Sequence, residues 1–432
     1  MPLPQENAPW NFYRLGPAKE KELFKRHRET YSGVAILAHI ASYYQKFCLE
    51  FVGELQKPYF VDPVTHIFTA DPASLHRFLK DKATVNGKAT VRTRRDKLGN
   101  KVKGDIKRSY QKLITAYGPI VEQVVNDGRT AKLGDFADDT KTLDFVKRVC
   151  AFQTETLCEL PQKYKKYQKY ANKAGALQGG VKNRPAFVIP PYFPIADEGW
   201  LKLNAKLAKM AIQFAEGLPV FPVIAGKVDK LQSMSSTIVE AYSKLEVSGF
   251  TLWGDGFRGD QGSLAIAAYQ SVIKALGGNK GRPVISLYGD ALSLILAYGG
   301  LRGFSCGICY GERRECDQDM DIEGMTPPYY YLARLKRKYQ LEPNIRRANL
   351  NQHNDLLCPC AICSGAADLL TLDDSQTREH FMLARQMEID AIRGGLTASA
   401  LKKQLQDAYD KYRNTPPFSG SLDHLMTWAR LL

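Results

Sequence analysis

The chain has 432 residues, which exceeds one average domain but suits a single α/β barrel carrying a small insertion. With 44% hydrophobic and 24% charged residues it can bury a large core, which excludes a disordered chain. The formal net charge of +15 favours a polyanionic partner, although a merely soluble basic protein carries the same signature. The sequence has no signal-like N-terminus and no apolar stretch of membrane-spanning length, so we expect a cytoplasmic protein without membrane attachment.

The first part of the chain combines strand-like runs with basic segments. A charged helix is expected over 18–30, and strand-like runs occupy 33–40 and 57–68. A basic, glycine-containing stretch follows between residues 82 and 112, and its candidate phosphate contacts are Arg92, Arg94 and Arg95. Lysine and tyrosine alternate over 162–170, where we favour a solvated helix face over a base-stacking tract.

From residue 185 short β-branched and aromatic runs alternate with helical segments. The runs cover 186–193, 219–226, 249–257, 282–290 and 304–312. This rhythm predicts βα units and a parallel sheet that is buried on both faces. With the two earlier runs it gives seven barrel strands, and we expect an eighth between residues 70 and 150. The predicted fold class is therefore α/β, a (β/α)8 TIM-barrel-like architecture, with a flavodoxin-like doubly wound sheet as the competing arrangement.

The pattern changes after residue 312 and suggests three regions. Residues 1–312 are predicted to form a (β/α)-barrel catalytic domain, 313–395 an inserted basic zinc-binding subdomain, and 396–432 C-terminal helices that complete the barrel. A strongly basic segment inside the subdomain adds further candidate nucleic-acid contacts, namely Lys336, Arg337, Lys338, Arg346 and Arg347.

The strongest chemical signal is a cluster of metal-ligand residue types. Cys358, Cys360 and Cys363 lie within six residues, and His380 follows on a predicted helix. Three thiolates and one imidazole complete a tetrahedral shell without an open position, so we predict one structural zinc ion. Free thiols are the alternative for this cluster.

Two other sets of residues compete for that ion in the sequence. Cys306, Cys309 and Cys316 form a second group, but odd spacing in a strand-like run places the first two on opposite faces and favours buried thiols. His353 is a weaker candidate for the fourth ligand.

The zinc module resembles that of the tRNA-guanine transglycosylases. The match consists of CPCAICSG followed by REHFMLARQMEIDAIRGG, with a shorter spacer than the family has. Other segments follow the family's order: YFVDPVTHIF takes the place of its Asp-Ser-Gly-Gly-Phe-Gln motif, PVFPVIAG of its Val-Gln-Gly-Gly strand, GFTLWGDGF of its base-recognition turn, RPVISLYGD of the next strand, and GFSCGICYGERR of the strand with its nucleophilic Asp. By order the resemblance covers most of the chain, and it is specific only at the zinc module.

Departures from the family pattern modify what the resemblance implies. The nucleophilic Asp of the family falls on Ser305, and only Asp62 survives from the Asp-Ser-Gly-Gly-Phe-Gln motif. The segment AFVIPPYF lacks the base-reading Asp. A retained scaffold with a rewritten pocket looks most like the DNA-acting 7-deazaguanine transglycosylases. The resemblance therefore implies exchange of guanine in a nucleic acid, DNA rather than tRNA, for a 7-deazaguanine base such as preQ0, and it leaves a homodimer open.

Base exchange requires a carboxylate to hold the sugar covalently and a second acid to move protons. Asp62 is the first candidate because it ends a strand, although Asp before Pro is also a common turn former. Asp255 is the second, and Asp290 is a third that equally suits a helix N-cap. Candidate substrate-binding residues surround them in the sequence: Trp253, Gly254, Phe257, Tyr288 and Ser305.

Two other functions remain open from the sequence. Because Ser305 has no evident activating base, the chain is alternatively a catalytically inactive, zinc-containing nucleic-acid-binding subunit with the same scaffold. The third hypothesis is an unrelated TIM-barrel hydrolase with an incidental zinc clip.

Overall fold

A computed structural model describes most of the chain. The described residues are 2–4, 9–16, 20–85, 88–98, 102–158, 183–257, 259, 262–278, 281–308, 315, 328–346, 353–366 and 368–432. The predicted Lys-Tyr tract at 162–170 lies outside these ranges, as do Cys309, Cys316 and Arg347.

The strands of the described residues form one large sheet and three small ones. In chain order they are β1 Trp10–Arg14, β2 Gly33–Leu37, β3 Tyr59–Asp62, β4 His76–Phe78, β5 Lys80–Val85, β6 Lys88–Thr93, β7 Lys103–Ile106, β8 Val223–Lys227, β9 Phe250–Asp255, β10 Val284–Ser286, β11 Gly303–Cys306, β12 Tyr329–Leu332 and β13 Arg337–Gln340. Seven of them make a curled, entirely parallel sheet in the order β3-β2-β1-β11-β10-β9-β8.

Helices connect and cover these strands. They are α1 Lys21–Arg26, α2 Ala38–Tyr43, α3 Gln45–Leu55, α4 Arg108–Tyr117, α5 Pro119–Asn126, α6 Asp139–Glu155, α7 Glu198–Ala211, α8 Val228–Ser233, α9 Ser235–Ser243, α10 Ser263–Gly278, α11 Leu292–Ala297, α12 Ala361–Gly365, α13 Asp374–Arg393, α14 Ala398–Tyr412 and α15 Asp423–Ala429. Side-chain caps start several of them: Asp138 for α6, Asp197 for α7 and Thr397 for α14. None of the described helices combines the length and apolarity that crossing a bilayer requires.

Two buried clusters lie on opposite faces of the large sheet. The larger one packs the sheet against the helices, and includes Val34, Ile224 and Phe304. The smaller one fills the concave face with alternate residues of the same strands, such as Phe12, Phe60 and Trp253. Burial on both faces explains the nearly continuous apolar runs that a parallel sheet requires. The expected α/β class with a parallel sheet is thus confirmed.

Sequence reasoning misplaced one strand. No strand of the parallel sheet comes from the described part of residues 70–150, where β4 to β7 pair antiparallel, so the expectation of a barrel strand there is wrong. The missing strand is β1, which pairs with both β2 and β11 near the middle of the sheet. Its polar Asn11 and Arg14 interrupt the apolar run, which hides the strand from a periodicity argument.

The segment 186–189 lies between the two ends of the large sheet. Ala186 N donates to Tyr59 O in β3, and Val188 forms a parallel bridge with Val220 just before β8. The ring of Phe187 stacks between Phe60 and Phe221, with centroid distances of 4.6 and 4.4 Å. The predicted strand is limited to this bridge because the following prolines at 190 and 191 have no N–H to continue a ladder.

The C-terminal region packs back against the start of the chain. The predicted long helix is α13, which begins with a capping box formed by Asp373 and Gln376. Arg378 forms an ion pair with Glu20, and Glu379 accepts hydrogen bonds from Arg26 (3.0 Å). These contacts attach α13 to the region around α1.

Candidate functional site

The best-defined polar site surrounds Asp62, at the carboxyl end of β3. This side chain is only 1% exposed. Its Oδ1 accepts hydrogen bonds from Val64 N and from the Tyr192 hydroxyl, both at 2.9 Å, and its Oδ2 accepts from the Tyr288 hydroxyl at 3.3 Å. The bond to Val64 N is the turn-forming contact that the Asp-Pro sequence predicts. The two tyrosines come from distant parts of the chain and fix the direction of both carboxylate oxygens.

Aromatic rings form one wall of this site. The indole of Trp253, in β9, lies 4.5 Å from the Tyr288 ring between centroids. The Arg14 guanidinium carbon lies 4.2 Å from the centroid of the Tyr288 ring, which is within cation–π distance. The structure thus brings Trp253 and Tyr288 together with Asp62.

A hydrogen-bonded chain extends from Asp62 through Tyr192 to His66. The Tyr192 hydroxyl donates to Asp62 and lies 3.0 Å from His66 Nδ1. Because the tyrosine proton points to the carboxylate, the tyrosine oxygen accepts a hydrogen bond from Nδ1–H of His66. Thr65 fixes the backbone here, since its hydroxyl donates to Tyr192 O and accepts from Tyr192 N. His66 also meets Trp253 edge to face at 4.7 Å.

A third tyrosine lies behind the site. Burial raises the pKa of Tyr117 well above its usual value, and the Asp62 carboxylate adds to the effect. The Tyr117 hydroxyl therefore stays protonated and donates to Pro63 O at 2.8 Å. This bond holds the backbone immediately after Asp62.

Asp255 occupies a second, more open part of the same sheet edge. It ends β9 and lies in register with Lys227, which ends β8. Both residues line a cavity of about 550 Å3, together with Asp229 and Glu315. Trp253 belongs to the same strand two residues earlier, so Asp255 extends from the same face of β9 as the indole that packs at the Asp62 site.

The neighbouring Gly254 and Phe257 face away from Asp62. A Cβ on Gly254 would approach Phe257 Cβ to 2.7 Å, so glycine permits a tight turn at this point. The Phe257 ring stacks on Tyr269 of α10 at 4.6 Å. This contact covers one face of the Phe257 ring.

Asp290 and Ser305 have local structural partners. Asp290 Oδ1 accepts from Leu292 N at 2.8 Å, a turn-forming contact just before α11, whose N-cap position is Ala291 and not Asp290. Ser305 is fully buried, and its hydroxyl donates to Leu287 O at 2.6 Å. A serine whose proton is committed to a backbone carbonyl is poorly placed to act as a nucleophile.

The predicted phosphate-binding residues divide into exposed and enclosed groups. Arg94, Arg95 and Arg346 are exposed, and Arg346 pairs with Glu342. The Arg92 side chain lies outside the described set, although its backbone belongs to β6.

Three other cations face the interior of the C-terminal region. Lys336 Nζ forms a nearly buried ion pair with Glu388 at 2.5 Å, Arg337 donates to Ser421 O at 2.6 Å, and Lys338 lies 4.5 Å from the Phe381 ring centroid. We therefore do not retain Lys336 as a nucleic-acid contact.

The predicted metal ligands converge. One ligand atom from each of Cys358, Cys360, Cys363 and His380 lies within 4.8 Å of all the others, so these residues can hold a metal ion. His380 Nδ1 is 3.5 Å from Cys360 Sγ and 3.3 Å from Cys363 Sγ. The edges of a tetrahedron of sulfur and nitrogen ligands around zinc measure roughly 3.5–3.8 Å, so the donor set fits such an ion.

The histidine ligand is held by β12. Its Nε2 donates to Tyr331 O at 2.8 Å, which leaves Nδ1 free to face the sulfurs. The Tyr330 ring stacks on the imidazole at 4.1 Å with an interplanar angle of 3°, and its hydroxyl lies 3.0 Å from Cys363 Sγ. The local fold therefore fixes both the tautomer and the plane of His380.

A metal ion has to displace protons from this cluster, including the one that the imidazole holds, before it can bind. Burial opposes charge on His380, but hydrogen bonds with Cys358 and Cys360 outweigh it and raise the pKa of the imidazole to about 9. Hydrogen bonds from Cys358 and Cys363 hold the pKa of the Cys360 thiol far below its usual value. A thiolate is thus present to bind a metal.

The alternative ligands have other roles. His353 meets Tyr412 edge to face at 5.4 Å and is not part of the converging set. Cys306 is a buried thiol 3.7 Å from Asn11 Oδ1.

Sequence reasoning missed three residues of the Asp62 site, namely Arg14, His66 and Tyr192. Arg14 ends the strand that was not predicted, and Tyr192 follows a pair of prolines outside any ladder. His66 comes only four residues after Asp62 in the sequence, which is close enough for both side chains to belong to the same turn. Recognising β1 as a strand would have placed Arg14 at the carboxyl edge of the sheet.

No protein-family model matches the chain, and no curated protein matches it significantly.

Proposed function

We propose that the protein is a base transglycosylase that replaces guanine in DNA with a 7-deazaguanine base. The observation that carries the proposal is the buried carboxylate of Asp62, held by Tyr192 and Tyr288 beside the ring of Trp253. An acid at a strand end beside aromatic rings suits a flipped nucleotide, which needs both stacking and proton transfer. The resemblance to tRNA-guanine transglycosylases supports the same reaction.

The scaffold we propose is a closed (β/α)8 barrel with one structural zinc ion. Ala186 and Val188 form hydrogen bonds with opposite ends of the seven-stranded sheet, which supports segment 186–189 as the eighth strand of the barrel. Zinc is supported by the three-sulfur, one-nitrogen donor set, which is typical of closed structural sites. When bound, the ion would pin the loop with Cys358 to helix α13 and take no part in the reaction.

Asp255 and Asp62 have different roles in the proposed reaction. Asp255, in the open cavity, attacks C1′ of the deoxyribose, and the C1′–N9 bond breaks with its electron pair leaving on guanine. Asp62 transfers protons to the departing base and from the incoming one, which then attacks C1′ and releases the Asp255 carboxylate. The Tyr192 and Tyr288 hydroxyls orient Asp62 for these transfers.

A denaturing gel tests the covalent step. The protein is incubated with guanine-containing DNA without a free base, so that the sugar remains attached to the carboxylate. We expect an adduct with the unmodified protein and with Asp229→Asn, a carboxylate of the same cavity, but none with Asp255→Asn. An adduct that persists in Asp255→Asn would refute its assignment as nucleophile.

Ser305 favours a second function, that of an inactive nucleic-acid-binding subunit. Its hydroxyl is bonded to Leu287 O, so the position where the family has its nucleophile offers none. Binding of DNA by the full chain without any adduct supports this function. Mass spectrometry of cellular nucleosides separates the substrates, since a 7-deazaguanine confined to tRNA contradicts action on DNA.

A further inference from the structure

A long β-arm extends from the chain between β3 and α4. The arm comprises residues 76–106, in which β5 pairs with β6 from Lys80↔Thr93 to Val85↔Lys88. At its base β4 pairs with β7, and backbone bonds join Leu79, Arg94 and Val102. Within the described part of the chain, β5 and β6 form a sheet of two strands only. The outer part of the arm is therefore a narrow ribbon.

The arm carries nearly half of the excess positive charge. Residues 76–106 contain ten Lys and Arg against three Asp, in a chain with a net charge of +15. Its described cations are exposed: Arg77, Arg94, Arg95, Lys97 and Lys103. Such a density of cations gains free energy by displacing counterions from a polyanion.

The arm follows β3 in the chain, and the carboxyl end of that strand carries the candidate site. Asp62 ends β3, and carboxyl ends of parallel strands share one edge. Between Asp62 and the arm, the short turn Thr65–Thr69 includes His66, which contacts Trp253. The Lys107 N to Leu75 O bond closes the base of the arm at 2.9 Å. A polymer bound along the arm would thus approach the site edge.

The composition of the arm indicates which kind of nucleic acid it binds. The arm has one Phe, Phe78 at its base, and residues 79–106 contain no Phe, Tyr or Trp, whereas proteins that bind single strands stack successive bases on aromatic side chains. A two-stranded ribbon fits the major groove of B-form DNA, which is about 12 Å wide. The major groove of A-form RNA is too narrow and deep to admit one.

We infer that the arm grips a B-form DNA duplex through its phosphates and presents it to the edge that holds Asp62. This deepens the proposed function by defining the form of its substrate, and its link to base exchange rests on that function. The grip itself does not depend on catalysis, so binding and chemistry can be measured separately.

Duplex binding as a function of salt tests the inference. The full chain is compared with the variant Arg94→Gln/Arg95→Gln/Lys97→Gln and with a control, Lys141→Gln/Lys147→Gln/Lys209→Gln, which removes exposed cations from α6 and α7. The probes are one DNA duplex of about 20 base pairs, one of its single strands, and the corresponding RNA duplex. Thermal unfolding shows that each variant is folded.

We expect the arm variant to bind duplex DNA at least about tenfold more weakly at 0.1 M salt. Its log–log salt slope should fall by about 2 to 3, since each phosphate contact contributes roughly 0.9. The control should match the unmodified chain. Equal losses in both variants, or no loss in the arm variant, overturn the role of the arm, and tighter binding of single-stranded DNA or duplex RNA overturns the choice of partner. Normal duplex binding without an adduct would refute base exchange and would still support the inferred DNA-binding role of the arm.

Discussion

The hydroxyl of Tyr288 lies 3.3 Å from Oδ2 of Asp62, although 226 residues separate them in the sequence. The same ring contacts Trp253 on one side and the Arg14 guanidinium on another. Tyr288 thereby joins the ends of three strands, β1, β3 and β9, at one carboxylate. Removing its hydroxyl alone isolates the contribution of that bond.

Tyr288→Phe should slow base exchange while the fold persists. The ring contacts remain, but Asp62 loses one of its donors and becomes less well oriented for proton transfer. The free energy of unfolding should fall by about 1 kcal/mol, the usual contribution of one hydrogen bond. Single-turnover rates and denaturant unfolding measure the two effects. An unchanged rate would show that Oδ2 needs no donor for the reaction.

His66 and Tyr192 should act as a coupled pair. His66→Gln and Tyr192→Phe each break the chain of hydrogen bonds that leads to Asp62, so the double variant should be little worse than the more damaging single variant. A double-mutant cycle on the rate of base release should give a coupling of about 0.5–3 kcal/mol. Additive effects would show that the imidazole acts independently of the tyrosine.

Metal analysis of the purified chain should find one zinc ion per molecule. Because the cysteines and His380 join α13 to the loop before α12, Cys360→Ser should abolish binding and lower the melting temperature markedly. Cys306→Ser removes another buried thiol outside the ligand set and is the matched control. Metal retained at full stoichiometry in Cys360→Ser would exclude the predicted ligand set.

Ser305→Ala should retain base exchange. The side chain donates to Leu287 O in the interior, so its loss should reduce the free energy of unfolding by about 1 kcal/mol without changing the chemical step. Adduct yield and chemical denaturation report on these separately. An inactive but stably folded alanine variant would require Ser305 to contact the substrate.

Asp135 provides a pH-dependent contribution to stability. Its hydrogen bonds with Arg129, at 2.7 and 2.8 Å, hold the pKa of this carboxyl below its usual value. A depressed carboxyl pKa stabilises the fold above the unfolded-state value of about 4, and this contribution disappears as the pH falls through the folded-state pKa. Asp135→Asn should therefore lower the melting temperature at pH 7, and the difference should shrink towards pH 3. A difference that stays constant across this range would assign the effect to packing.

Local patterns in the sequence predicted some features and concealed others for identifiable reasons. The metal ligands were predictable because three of them lie within six residues and the fourth lies in the second turn of a helix, α13. Asp62, Trp253 and Tyr288 were predictable because each follows or ends an apolar run. Arg14 and Tyr192 were not, since they reach the site only through the curvature of the sheet and a proline-rich segment. That curvature depends on pairing between strands far apart in the chain, which periodicity does not encode.

The position of β1 has a consequence for synthesis on the ribosome. Asn11 and Cys306 contact each other across 295 positions, and β1 is flanked by β2 and β11. At translation rates of about 5–20 residues per second, β11 is synthesised roughly 15 to 60 seconds after β1. One edge of β1 has no partner strand until then. During that interval one edge of β1 is open to wrong pairing. A chaperone that shields nascent chains should therefore raise the yield of native protein more than one added after release.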